Sequence, residues 1–121
     1  MSEWKSFPVV VSGSWSKVTL PAEIDLSCTA DMTAALDTAM TGGVNIVVVD
    51  MGATTFCDSA GVKVLVQARK RAQAAGGKEL RLVLPPGKVR RVFELMGVDQ
   101  LLPVCGSVPE ALEGLPGGEA G

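Results

Sequence analysis

The sequence predicts an α/β domain: a mixed, largely parallel sheet of four to five strands with about four helices and an N-terminal hairpin. Three observations carry this expectation. Short apolar runs rich in Val, Ile and Leu alternate with longer segments whose apolar residues recur at helical spacing. Gly and Pro clusters mark most boundaries between them. The 121 residues, 47% of them hydrophobic, supply a real core for one domain and leave little room for two. Alternation of strand and helix implies parallel pairing with right-handed crossovers. The domain is expected over residues 1–114, and residues 115–121, rich in Gly, read as a flexible tail.

Taken in order, Phe7–Val11 and Val18–Leu20 are apolar enough for two strands, and the Gly and Ser between them signal a hairpin. Trp4 and Trp15 are expected to pack at the end of the sheet. Pro21–Asp25 is too polar for a core strand and reads as a loop leaving the sheet. Met32, Ala35, Leu36, Ala39 and Met40 then fall on one helical stripe, which Gly42-Gly43 ends. Val44–Val49 is a nearly unbroken β-branched run, as a strand covered on both faces requires. The next helix begins near Ser59 and places Gly61, Val64, Leu65, Ala68, Ala72 and Ala75 on its inner stripe, with Arg69-Lys70-Arg71 as a solvated face whose charge suits a helix C-terminus. Leu80–Leu84 is a further strand. Pro85-Pro86-Gly87 leads to a third helix with Val89, Val92, Phe93 and Met96 inward, closed by Gly97. Leu101–Val104 is the last strand, and Ser107-Val108-Pro109-Glu110 has the pattern of a capping box opening a brief fourth helix.

Composition excludes several classes of function. The formal charge of −2 provides no basic field for nucleic acid. There is no histidine, so the side chain most used for proton transfer near neutral pH is missing, which weighs heavily against a Ser-His hydrolase. Cys28, Cys57 and Cys105 are odd in number, widely spaced and without a C-x-x-C pair, which argues against a metal site and for small buried hydrophobes in a reducing compartment. No signal-like leader and no run of apolar residues long enough for a membrane span is present, so a soluble cytoplasmic protein is expected, with no membrane partner. Neither a P-loop nor a G-x-G-x-x-G occurs, and no cofactor is expected.

The stretch with most chemical content is Asp58-Ser59-Ala60-Gly61. It follows a buried strand and a short crossing, and it opens a helix. The N–H groups of a first helical turn lack intrahelical partners, and the macrodipole there tolerates a phosphate. Ser59 is thus the candidate phosphorylation site. The plainer alternative is that Asp58 or Ser59 only caps the helix, since both residue types do so commonly.

With this element order and the D-S-x-G block together, the sequence resembles the STAS domain family, and most closely its anti-sigma factor antagonists of one domain. The matching segments are Ala22-Glu23-Ile24-Asp25 with Thr29-Ala30, then Ile46–Asp50, Phe56–Val62, and Val89 through Gly97-Val98. The resemblance implies a partner that is both an anti-sigma factor and a serine kinase, with a separate serine phosphatase acting in reverse. The unphosphorylated form would bind that partner and free a sigma factor, and phosphorylation at Ser59 would switch binding off. It further implies a contact surface that includes Glu23, Asp25, Asp58, Ala60, Gly61 and Lys63. Ala60 stands where many members have a second Ser or Thr, which removes a competing acceptor. Ala22 stands where Gly is usual, so the loop with Glu23 and Asp25 is expected to be shaped differently.

Two other classes compete. In one, the domain is a constitutive STAS adaptor subunit of a transporter or stress-sensing complex, and Ser59 is a cap without a switch. In the other, Asp50 or Asp58 is an aspartyl nucleophile, which the missing D-x-D pattern and second carboxylate cluster disfavour. Ser59 itself has no histidine base in this chain, so it is expected to be a substrate for another enzyme, and the protein no enzyme.

Overall fold

The structure, a computed structural model, describes residues 7–115. The chain runs through β1 (Val9–Ser12), β2 (Trp15–Thr19), β3 (Glu23–Ile24), a 3₁₀ turn at Leu26–Cys28, α1 (Thr29–Ala39), β4 (Ile46–Asp50), β5 (Phe56–Cys57), α2 (Ser59–Ala74), β6 (Glu79–Val83), α3 (Lys88–Leu95), a second 3₁₀ turn at Val98–Gln100, β7 (Val104–Cys105) and α4 (Val108–Ala111). Five strands form the main sheet in the order β1-β2-β4-β6-β7, and β3 and β5 form a separate pair. Among the described residues of this sheet only the β1–β2 hairpin is antiparallel; β2–β4, β4–β6 and β6–β7 are parallel. The mixed, largely parallel sheet with an N-terminal hairpin and four helices is therefore as the sequence indicates.

One face of the sheet carries the main core. Val18 of β2 with Leu20 just beyond it, Val47 and Val49 of β4 and Leu80 and Leu82 of β6 alternate toward Met32, Leu36, Leu65 and Phe93 from the helices. The other face holds a smaller cluster in which Trp15, Val48 and Val83 meet Ala111 and Leu112. Arg81 fastens that second layer, its Nη1 donating to the Ala111 carbonyl at 2.7 Å. The buried Ser16 is satisfied in the same way: its Oγ donates to the carbonyl of Ala39 at 2.8 Å, one of the acceptors that the end of α1 leaves open.

The differences from expectation are local. The hairpin is tighter than the sequence implied, with Ser12 opposite Trp15 across Gly13-Ser14, so Trp15 lies inside β2 and not in a loop. Pro21–Asp25 is not a plain loop; Glu23–Ile24 forms β3, which lies outside the main sheet and pairs with β5. Ala75 is the C-cap of α2 and is exposed, beyond Ala72, the last residue the helix buries. Of the four residues given to the inner face of α3, Phe93 is buried and Val89 partly so, while Val92 and Met96 are exposed. The last strand comes later than Leu101–Val104, because a 3₁₀ turn after Gly97 uses up chain before β7 pairs with β6. Trp4 and residues 116–121 lie outside the described residues, and Leu115, assigned to the tail, packs partly buried against the smaller cluster.

Candidate functional site

Three segments distant in sequence meet at the β3–β5 pair. Glu23 lies opposite Phe56 and Ile24 opposite Cys57 in parallel register. The lashing continues on both sides: Thr55 N donates to the Ala22 carbonyl at 2.7 Å, and Asp58 N to the Ile24 carbonyl at 3.1 Å. Thr54 Oγ1 adds a bond to the Pro21 carbonyl at 2.8 Å. Asp25 and Asp58 thus leave adjacent strands at the same level, and each opens a helical turn. Asp25 Oδ1 accepts from Ser27 N at 2.9 Å and from Ser27 Oγ at 2.5 Å, at the head of the first 3₁₀ turn. Asp58 Oδ1 accepts from Ala60 N at 3.0 Å and Gly61 N at 3.2 Å, at the head of α2.

That geometry decides which residue caps α2. Asp58 has extended backbone angles, φ −88° and ψ −178°, and bonds the second and third helical N–H groups, as an N-cap does. Ser59 is the first helical residue, is exposed, and its hydroxyl makes no hydrogen bond among the described residues. Lys63 is also exposed and lies one turn further along the same face of α2. Ala60 and Lys63 line a shallow groove between α2 and α1, whose opposite wall includes Leu26, Thr29 and Thr33.

Gly61 explains why the block tolerates no side chain at its fourth position. It is buried where α2 crosses the β3–β5 pair, and a Cβ there would lie 2.6 Å from Ile24 Cγ2 and 2.7 Å from Cys57 Sγ. Its small size brings the start of the helix down onto the strands and fixes the height of Ser59 above them.

The other groups near the site are chemically quiet. Burial, with smaller contributions from Asp58 and Cys28, pushes the Cys57 thiol up to about 12, so it stays protonated at neutral pH. Asp50 Oδ1 accepts from Gly52 N at 2.9 Å, the ordinary role of an Asp closing a turn. Among the described residues, no three His, Cys, Asp or Glu side chains converge on a point, and no helix is long and apolar enough to cross a membrane.

The structure therefore gathers Glu23, Asp25, Asp58, Ser59, Ala60, Gly61 and Lys63 at one end of the molecule, with Gly61 beneath the surface. It adds two residues that sequence reasoning passed over. Leu26 is 74% exposed and Phe56 is 50% exposed, both large and apolar and both directly beside the carboxylates. The signal available was a large hydrophobe in an otherwise polar segment, next to a motif of interest.

Comparison with known proteins gives a consistent answer. A family model described as "Mlab, STAS domain" matches residues 9–103, and no curated protein sequence matches. The fold matches an anti-sigma factor antagonist from Mycobacterium paratuberculosis with a TM-score of 0.78 at 23% identity, covering 88% of this chain and 90% of that one. It matches the anti-sigma factor antagonist SpoIIAA in its unphosphorylated form with a TM-score of 0.72 at 25% identity, covering 89% and 94%. The phosphorylated form of the Bacillus protein SpoIIAA matches at 0.66 and 23% identity, covering 89% and 97%. The murine anion transporter Slc26a9 matches at 0.68 and 21% identity, covering 84% of this chain and 17% of the transporter. The sheet order, the β3–β5 pair that carries the D-S-x-G block and the family match along most of the sequence agree: the chain belongs to the STAS domain family.

Proposed function

We propose that the protein is an anti-sigma factor antagonist whose docking surface is controlled by phosphorylation of Ser59. The observation that supports this reading is the division of labour at the head of α2. Asp58 does the capping, and the Ser59 hydroxyl is exposed and unused, so esterifying it breaks no bond of the fold.

The unmodified surface offers Leu26 and Phe56 as apolar anchors within a ring of Glu23, Asp25 and Asp58. An anti-sigma factor seated on these anchors would release its sigma factor. Phosphate on Ser59 adds about two negative charges beside carboxylates already present. Lys63, one turn along α2, and the open helix start can hold that charge in the free protein, but in a contact that excludes water the added dianion and its bulk are costly to bury, so binding fails without any change of shape. The chain has no histidine to activate Ser59 and no P-loop to hold a nucleotide, so the kinase supplies base, metal and ATP, and a separate serine phosphatase restores the hydroxyl. The site of action is cytoplasmic, where sigma factors work.

The test is phosphotransfer followed by binding. Incubation with a serine kinase of the anti-sigma class and ATP is expected to add one phosphate, mapped to Ser59 by fragment mass, and Ser59→Ala is expected to abolish it. Ser59→Asp is expected to lose the partner in a pull-down that Ser59→Ala passes. Phosphate at another residue, or equal retention of both variants, overturns the proposal. The fold shared with part of an anion transporter chain supports a second reading, a constitutive adaptor subunit. In that case the partner is retained and no phosphate is gained.

A further inference from the structure

We infer that the protein pairs with a second copy of itself through α3, in a two-fold antiparallel helix contact. Phe93 is fully buried and seats α3 on the sheet, but the adjoining side of the helix is left uncovered. Val92, Leu95 and Met96, at i, i+3 and i+4, form a single ridge with exposures of 43%, 76% and 50%. Isolated surface hydrophobes need no explanation, but a contiguous ridge framed by charge is the composition of an interaction surface.

The charges around the ridge identify what covers it. Lys88 and Arg91 flank its N-terminal half, and Asp99 follows its C-terminal end, while Glu94 lies round the helix beside Arg90. Among the described residues, Glu94 meets Arg90 at 3.6 Å, and Lys88, Arg91 and Asp99 belong to no ion pair. The surface is therefore basic at one end, apolar in the middle, and carries the unpaired carboxylate of Asp99 at the other end. Such a surface is complementary to itself when two copies are related by a two-fold axis across the helix. In that arrangement Leu95 of one copy packs on Val92 of the other. The basic first turn of each α3 then lies beside the acidic end of its mate, and the helix dipoles oppose. Isologous pairing of this kind is the commonest way identical chains associate.

The helix is short, about 12 Å along its axis, so the contact falls at the small end of specific interfaces and the dimer is weak and reversible. None of its residues belongs to the Ser59 surface, so each copy keeps its docking face free.

Sedimentation equilibrium of the purified full chain tests this between about 10 μM and about 1 mM, the range in which so small an interface associates. The weight-average mass is expected to rise from 12.5 kDa toward twice that value. Leu95→Glu, at a position exposed enough to leave the melting temperature unchanged, is expected to hold the mass at one chain throughout. Lys88→Glu is expected to weaken association several-fold, and the swapped pair Lys88→Glu with Asp99→Lys to recover most of that loss. Ser59→Asp is expected to associate as the wild type does, which separates this outcome from that of the phosphorylation experiment. A constant single-chain mass, association unaltered in Leu95→Glu, or failure of the swapped pair to recover overturns the inference.

Discussion

Replacing Gly61 by Ala sets two effects of opposite sign against each other. In an exposed helix, Gly→Ala stabilises by about 1 kcal/mol through backbone propensity alone. Here the added Cβ lies 2.6 Å from Ile24 Cγ2 and 2.7 Å from Cys57 Sγ, whereas carbon atoms rest in contact at about 3.5 Å or more. Each neighbour has to yield by about 1 Å, and neither does so easily. Ile24 is fully buried and β-branched, with little freedom at χ1, and Cys57 is held in the β5 pairing. Overpacking of this kind costs about 2–3 kcal/mol, so once the propensity gain is subtracted the variant is expected to lose about 1–2 kcal/mol. For a domain of this size that corresponds to a fall in Tm of about 4–8 °C, readable by calorimetry. The cycle with Cys57→Ala locates the cause: removing Sγ should relieve part of the strain, giving a coupling of at least about 0.5 kcal/mol. A Tm equal to or above that of the wild type would refute the reasoning, because it would mean that α2 does not bear on the strands as described.

Three further outcomes are expected. Asp58→Ala leaves the N–H of Ala60 without its acceptor and that of Gly61 with only the backbone carbonyl of residue 58, and should cost about 1 kcal/mol, whereas Ser59→Ala should stay within about 0.5 kcal/mol of the wild type in the same melts. Cys57 contributes a pH dependence of definite sign. Its folded value of about 12 lies above the 9.0 of the unfolded thiol, so its contribution is fully present below pH 9 and lost as pH rises through 9 to 12; alkaline urea titrations should show wild type losing stability over that range relative to Cys57→Ala. Leu26→Ala should weaken binding of an anti-sigma factor by about tenfold or more with Tm unchanged, since the residue is mostly exposed in the free protein.

What the sequence displayed, it displayed through periodicity. The stripe Met32, Leu36, Ala39 and the β-branched run of β4 can be read directly, because each repeats a burial pattern long enough to be recognised. Glu23–Ile24 and Phe56–Cys57 repeat nothing: two-residue strands have no period, and they exist only because chain folding brings Ala22–Asp25 alongside Thr55–Asp58. In α3 the period was legible but its orientation was not, since Val92 and Met96 continue an apolar pattern that the sheet does not cover. At the site, Asp58 and Ser59 were both marked by cap chemistry. Choosing between them needed the backbone, because the extended conformation falls on Asp58. Leu26 and Phe56 were passed over for a simpler reason: only their neighbours in space show that they flank the carboxylates.

The lashing of β3 to β5 has a bearing on any enzyme that visits Ser59. A kinase that takes a flexible, stretched-out peptide would find the proposed acceptor, Ser59, in the first turn of a helix whose start is pinned from two sides, by Asp58 above and by the Ile24–Cys57 pair below. Unwinding that turn would forfeit the cap and the seat under Gly61 together. If Ser59 is phosphorylated as proposed, the kinase has to recognise an intact three-dimensional epitope, and a synthetic fragment spanning only residues 54–64 should be a poor substitute for the whole domain.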